Sequence, residues 1–164
     1  MGNDELNLDQ CWMAYQPIYD FENVEIIGYE ALLRGPFQPE QFILEAVQLG
    51  YMPQLDAQIH RMAQHHFNQD GILFINMHPL SLHHPELFSP SPNVVLEITE
   101  HAKVDFRRLH KELEQFRKLG YKIAIDDFGS KHNKAFILDS IHPDFIKLDR
   151  SITRNIEQLS EFVY

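Results

Sequence analysis

Lys122-Ile123-Ala124-Ile125-Asp126-Asp127-Phe128-Gly129 is the stretch that decides how the rest of the chain is read. Ile123 to Ile125 is a continuous apolar run, β-branched at both ends and set between Gly120 and Gly129, the pattern of a strand buried on both faces of a parallel sheet. Neighbouring side chains of a strand point to opposite faces, so Asp126 and Asp127 cannot serve one point alike. One is expected at the sheet's mouth and the other toward the following loop. Folding alone asks for neither.

Working outward, the same design recurs. Ile72-Leu73-Phe74-Ile75 ends in Asn76, Val94-Val95-Leu96 in Glu97, and Phe145-Ile146 in Lys147, with successive polar ends roughly 20 to 30 residues apart. That spacing suits strand-helix-strand units. Phe106, Leu109, Leu113 and Phe116 form one face of an intervening helix, with Asp105 as N-cap and Gly120 beyond its end. A shorter helix is expected around Ala135 to Leu138, stopped by His142-Pro143. Upstream, Tyr15 to Tyr19 and Val24 to Leu33 read as two strands joined by a turn at Asp20 to Asn23. Pro39 opens a helix with Phe42, Ile43, Ala46 and Val47 on its apolar side and Gly50 at its cap, and a second helix after Pro53 carries Leu55, Ile59, Met62, Ala63 and Phe67. Both helices read as ordinary cover for a sheet. The fold class is α/β, with a polar lead-in over residues 1–11 and one domain over 12–164.

Composition narrows the function. The chain has 164 residues, 44% of them hydrophobic, enough for one domain with a real core. Lys and Arg number 14 against 24 Asp and Glu, and no stretch forms a basic patch, which argues against binding along a nucleic-acid polymer. The histidine pairs His65-His66 and His83-His84 have no zinc-ligand spacing and read as solvated surface. Cys11 is the only cysteine, which fits a reducing compartment. The acidic start Met1-Gly2-Asn3-Asp4-Glu5 is unlike a signal peptide, and no apolar run suits a membrane span, so a cytoplasmic protein is expected.

If Glu30, Asn76, Glu97 and Asp126 converge, with Asp127 and Lys147 nearby, carboxylates crowd within a few ångströms. Like charges that close require protonation or a cation. Oxygen donors without Cys or His favour Mg²⁺, Mn²⁺ or Ca²⁺ over zinc. Such an ion would let an acidic protein hold an anionic phosphodiester, polarise its phosphoryl oxygen and ionise water. Lys147 would be the charge partner of a nucleophile or leaving group. One carboxylate at a strand exit is more often a helix cap or ion pair, and Lys147 with Asp126 or Asp149 reads equally as a salt bridge. Repetition at four consecutive exits favours a site, since stability needs no such repetition.

Tyr29-Glu30-Ala31-Leu32-Leu33-Arg34 resembles the signature of the EAL-domain family, the cyclic di-GMP phosphodiesterases. Tyr15-Gln16-Pro17-Ile18, Phe74-Ile75-Asn76, Leu96-Glu97-Ile98-Thr99-Glu100, Ile125 to Gly129 and Ile146-Lys147-Leu148-Asp149 resemble the family's other motifs, in its order. The resemblance implies a modified TIM-like β/α barrel with an antiparallel first strand, and hydrolysis of cyclic di-GMP to the linear dinucleotide with Mg²⁺ or Mn²⁺. By motif, Glu30, Asn76, Glu97 and Asp126 are expected to hold a first metal and Asp127 a second, with Glu30, Asp127 and Lys147 forming the catalytic set. Lys147 resembles the lysine at the catalytic water. Gln16, Arg34 and Asp149 match substrate-binding positions, and Glu100 the residue that anchors a loop.

Two departures stand out. Ser130-Lys131-His132-Asn133-Lys134 replaces the family's Thr-Gly-Tyr/Phe-Ser-Ser-like run. The sequence also stops at Tyr164, before the last two β/α units and the motifs they carry. An incomplete barrel exposes edges, so Ile156, Leu159, Phe162 and Val163 are expected to pack across the open side or against a second copy, giving a homodimer. The expected function is therefore phosphodiester hydrolysis, impaired in this short form. The alternative is a non-catalytic module that binds cyclic di-GMP or a protein. An enolase-like enzyme is a third reading, disfavoured by Gln16 together with Glu30 to Arg34.

Overall fold

The computed structural model describes residues 8–20, 23–99, 106–128, 138 and 141–148. Among them, six strands form one sheet in chain order: β1 (Trp12–Asp20), β2 (Glu25–Arg34), β3 (Ile72–Asn76), β4 (Val94–Thr99), β5 (Lys122–Phe128) and β6 (Phe145–Leu148). β1 pairs antiparallel with β2 and every later pair is parallel. This is the α/β arrangement of an incomplete β/α barrel with an antiparallel first strand, as the sequence pattern predicts. Asp105, the helix proposed around Ala135, the loop Ser130 to Lys134 and the segment Ile156 to Val163 lie outside the described residues.

Local chemistry explains the elements. In the β1–β2 turn, Asp20 Oδ2 accepts from Asn23 Nδ2 at 2.8 Å and the Val24 N–H donates to Asp20 O at 2.9 Å. Helix α1 (Pro39–Gln48) starts at its proline, whose missing N–H is no loss there, and the chain leaves it through Gly50 at φ 69°, a conformation glycine adopts without strain. Helix α2 (Met52–His66) follows at once, and α3 (Phe106–Lys118) bridges β4 and β5. Two 3₁₀ turns after β3, Pro79–His83 and Pro85–Leu87, have no counterpart in the sequence reading. Among the described residues no helix is long and apolar enough to cross a membrane.

The two faces of the sheet differ. Leu73, Ile75, Leu96, Ile98, Ile123 and Ile125 pack in the main core with Ala63, Leu109, Leu113 and Phe116 of α2 and α3. The opposite face carries a smaller cluster, Phe74, Val95 and Ala124, joined by Ile18, Ile72 and Phe145. The Phe74 and Phe145 rings meet edge to face at 5.3 Å. This small cluster is a floor. Two residues beyond Phe74, Val95, Ala124 and Phe145, on the same face by strand periodicity, come Asn76, Glu97, Asp126 and Lys147. β2 obeys the same rule, with Gly28 at floor level and Glu30 above it. Gly28 lies opposite Ile18 on one side and Ile72 on the other. A Cβ there would stand 2.2 Å from the Ile72 carbonyl oxygen and 3.0 Å from Phe74 Cε2.

Candidate active site at the mouth of the sheet

Above the apolar floor the strand ends meet at one ammonium. Lys147 Nζ lies 2.8 Å from Glu30 Oε2, 2.6 Å from Glu97 Oε1 and 3.3 Å from Asp126 Oδ1. Asn76 Nδ2 donates to the other Glu30 oxygen at 2.9 Å. Glu30, Asn76, Glu97, Asp126 and Lys147, from five successive strands, thus form one cluster with the Lys147 ammonium at its centre and Glu30 linking it to Asn76. Lys147 thus supplies part of the positive charge that crowded carboxylates require.

Glu97 is the most constrained member. It is 1% exposed, and among the described residues its one polar partner is the Lys147 ammonium on Oε1. Burial, offset in part by Lys147 and reinforced by Glu30 and Asp126, pushes its pKa up to about 8. Burial pulls the Lys147 pKa down, but the charge of Glu97 and hydrogen bonds to Glu30 outweigh it, so the ammonium is held more firmly than an ordinary lysine. One ammonium does not neutralise three carboxylates, and the buried one responds by favouring its proton.

Asp127 behaves differently from its neighbour. It adopts φ 53°, where the pairing of β5 with β6 slips between Ile125 and Phe128, and it is exposed while Asp126 faces the cluster. An aspartate tolerates this left-handed geometry better than most residues. The expected division of labour between the two carboxylates therefore has a backbone cause. Gln16 is exposed and sits opposite Glu30 in the β1–β2 ladder. Arg34 is exposed at the end of β2, its Nη1 donating to Leu33 O at 2.9 Å. Glu100 and Asp149 lie outside the described residues.

Oxygen donors from Glu30, Asn76, Glu97 and Asp126, with buried Glu97 Oε2 unpartnered among the described residues, fit Mg²⁺ or Mn²⁺. Among the described residues no group of three or more acidic, His or Cys side chains is already spaced to grip an ion. The carboxylates close on Lys147 instead.

Sequence reading missed a second polar group. Helix α2 is more than sheet cover: it buries Asp56 and His60, one turn apart. Asp56 Oδ2 accepts from the His78 N–H at 2.9 Å and from Ser81 Oγ at 2.6 Å, and His60 Nε2 lies 3.3 Å from the Asn76 carbonyl oxygen. The available signal was polar residues at helical spacing, Asp56 and His60, interleaved with apolar Leu55 and Ile59. His83 also departs from the solvated reading: its Nδ1 contacts buried Glu112.

An antiparallel lead strand, a curled parallel sheet and an acidic mouth above an apolar floor define a β/α-barrel protein with its site at the strand ends. The chain belongs to the EAL domain family, which matches it over residues 3–162. It is 30% identical to the probable cyclic di-GMP phosphodiesterase PdeI of Escherichia coli, over 92% of this chain and 23% of that protein. It is 29% identical to the EAL-domain protein YkuI of Bacillus subtilis, over 87% of this chain and 41% of that protein. The fold matches Klebsiella pneumoniae BlrP1 in its manganese and cyclic di-GMP complex, with TM-score 0.72 and 28% identity over 90% of this chain and 42% of that one. It also matches YkuI solved with cyclic di-GMP and calcium, with TM-score 0.68 and 26% identity over 91% of this chain and 44% of that one. The chain thus spans less than half the length of these relatives.

Proposed function

We propose that this chain binds cyclic di-GMP and hydrolyses one phosphodiester bond to give the linear dinucleotide, with Mg²⁺ or Mn²⁺ as cofactor. The observation that carries the reading is the convergence of Glu30, Asn76, Glu97 and Asp126 on one point beside Lys147. These four would hold a first metal and Asp127 a second. The ion would supply Lewis-acid polarisation of the phosphoryl oxygen and a more acidic water. Lys147, which can only donate, would orient the attacking oxygen and offset charge as it builds on the phosphate. Arg34 would pair with a phosphate through its planar fork, Gln16 would hydrogen-bond the ligand from β1, and Asp149 would meet a guanine edge. Glu100 would hold the loop after β5 through Ser130. The unit that does this is residues 12–164, acting as a cytoplasmic homodimer.

One observation favours binding without turnover: Lys131 and His132 replace a glycine and an aromatic in the loop that follows Asp127. Hydrolysis of cyclic di-GMP in Mn²⁺, followed by chromatography of the product and compared with Glu30→Ala, decides the matter. Turnover lost in the variant supports the enzyme; tight binding with no linear product supports the binding module. Light scattering tests the dimer.

A further inference from the structure

The residues that follow β3 are held from behind by helix α2. Asn76 leaves the strand with its carbonyl against His60 Nε2 at 3.3 Å, and two residues later the His78 N–H donates to Asp56 Oδ2 at 2.9 Å. Ser81 Oγ donates to the same Asp56 oxygen at 2.6 Å, closing the first 3₁₀ turn onto the helix. Asp56 and His60 are 4% and 1% exposed, one turn apart on the same face of α2. Buried polar groups are retained at a cost unless they are matched, and here Asp56 and His60 Nε2 are both spent on a single short segment, while His60 Nδ1 has no partner among the described residues. That segment begins with Asn76, whose side-chain amide reaches Glu30 at 2.9 Å. Fixing the carbonyl on one side of Asn76 and the N–H two residues on leaves its backbone little freedom to rotate, and the amide is aimed accordingly.

We propose that Asp56 and His60 are positioning residues, a clamp in α2 that orients the Asn76 side chain toward Glu30 across the mouth. The clamp's consequence for metal binding rests on the reading of Asn76 as a metal-binding residue; the clamp itself does not. Both hydrogen bonds to Asp56 end on one oxygen, so the site needs an acceptor and not a charge. An amide supplies that acceptor equally well.

The test is the Asn76 side-chain NH₂ signal in ¹⁵N spectra of the 164-residue protein, assigned by its loss in Asn76→Asp. In Asp56→Ala this signal should shift, and its hydrogens should exchange about tenfold faster, the loss expected from one hydrogen bond. Asp56→Asn should restore the wild-type shift and exchange. Ser81→Ala, which removes one of the two donors and leaves the helix intact, should give a smaller change in the same direction, and it carries the test if Asp56→Ala does not fold. An unchanged Asn76 signal in both Asp56→Ala and Ser81→Ala overturns the clamp, as does an Asp56→Asn protein as impaired as the alanine variant. Adding Mn²⁺ separates the two ideas. Paramagnetic broadening of the wild-type Asn76 signal supports the metal reading, and its absence overturns that reading while the metal-free comparison still decides the clamp.

Discussion

Two buried polar groups lie on either side of β3, and they are satisfied in opposite ways. Behind the strand, Asp56 accepts two hydrogen bonds from neutral donors, His78 N–H and Ser81 Oγ, within ordinary hydrogen-bond distance. At the mouth, three carboxylates share the single ammonium of Lys147, and among the described residues buried Glu97 has no partner other than that ammonium. Asp56 is thus matched by donors from its own chain, although Nδ1 of neighbouring His60 is buried without a partner among the described residues. The second group holds more negative charge than the described residues neutralise, which is the arrangement expected of a functional site. The contrast separates a device that holds shape from one whose charge fits the proposed cation and anionic ligand.

The largest effect expected from breaking this contrast is on chemistry. Glu30→Ala removes the carboxylate that both Lys147 and Asn76 contact, and Mn²⁺-dependent hydrolysis of cyclic di-GMP should fall more than about a hundredfold, since even outer partners of metal ligands are worth 10 to 100-fold. Next comes Lys147→Met, which leaves Glu30, Glu97 and Asp126 facing each other unneutralised. Removing one partner of a buried ion pair costs about 3 to 5 kcal/mol, so urea denaturation without metal should show a loss of that order. Mn²⁺ should recover much of it, whereas it should do little for an equally destabilised core variant.

On the other side of the strand the effect is smaller and follows pH. Burial lifts the Asp56 pKa from 3.8 to about 7, more than its two hydrogen bonds lower it. Across that window the folded protein keeps a proton that the unfolded chain releases, so this group's contribution to stability declines as pH rises toward 7. Asp56→Asn should remove the decline: urea midpoints of variant and wild type should match near pH 4 and diverge, in the variant's favour, toward neutrality. Smallest of all, Glu86→Ala breaks the exposed contact with His84 and should leave the melting temperature where it is.

The mouth was legible in the sequence because its cause is local. An apolar run that stops at Asn76, Glu97, Asp126 or Lys147 announces both a buried strand and the residue at its exit, and parallel pairing brings consecutive exits together without further information. The family motifs add expected roles for these residues. Asp56 and His60 were not legible, because a helix pattern is read from its apolar positions; Leu55, Ile59 and Ala63 account for α2 while the polar residues on the same buried arc pass as surface. The 3₁₀ turns that meet them were missed for a related reason, since their geometry depends on an acceptor 22 and 25 residues upstream. The left-handed turn of Asp127 was visible only as the rule that adjacent strand residues diverge.

Gly28 has a reach beyond its own backbone. With the Ile72 carbonyl 2.2 Å from where its first carbon would be, any other residue wedges β2 and β3 apart at floor level. Glu30 and Asn76 stand two and four residues further on from the partners of that contact, and their 2.9 Å bond spans the same gap. The missing methyl group therefore sets the aperture: a hydrogen atom at the base of the sheet fixes how closely the Glu30 carboxylate and the Asn76 amide can approach at its rim.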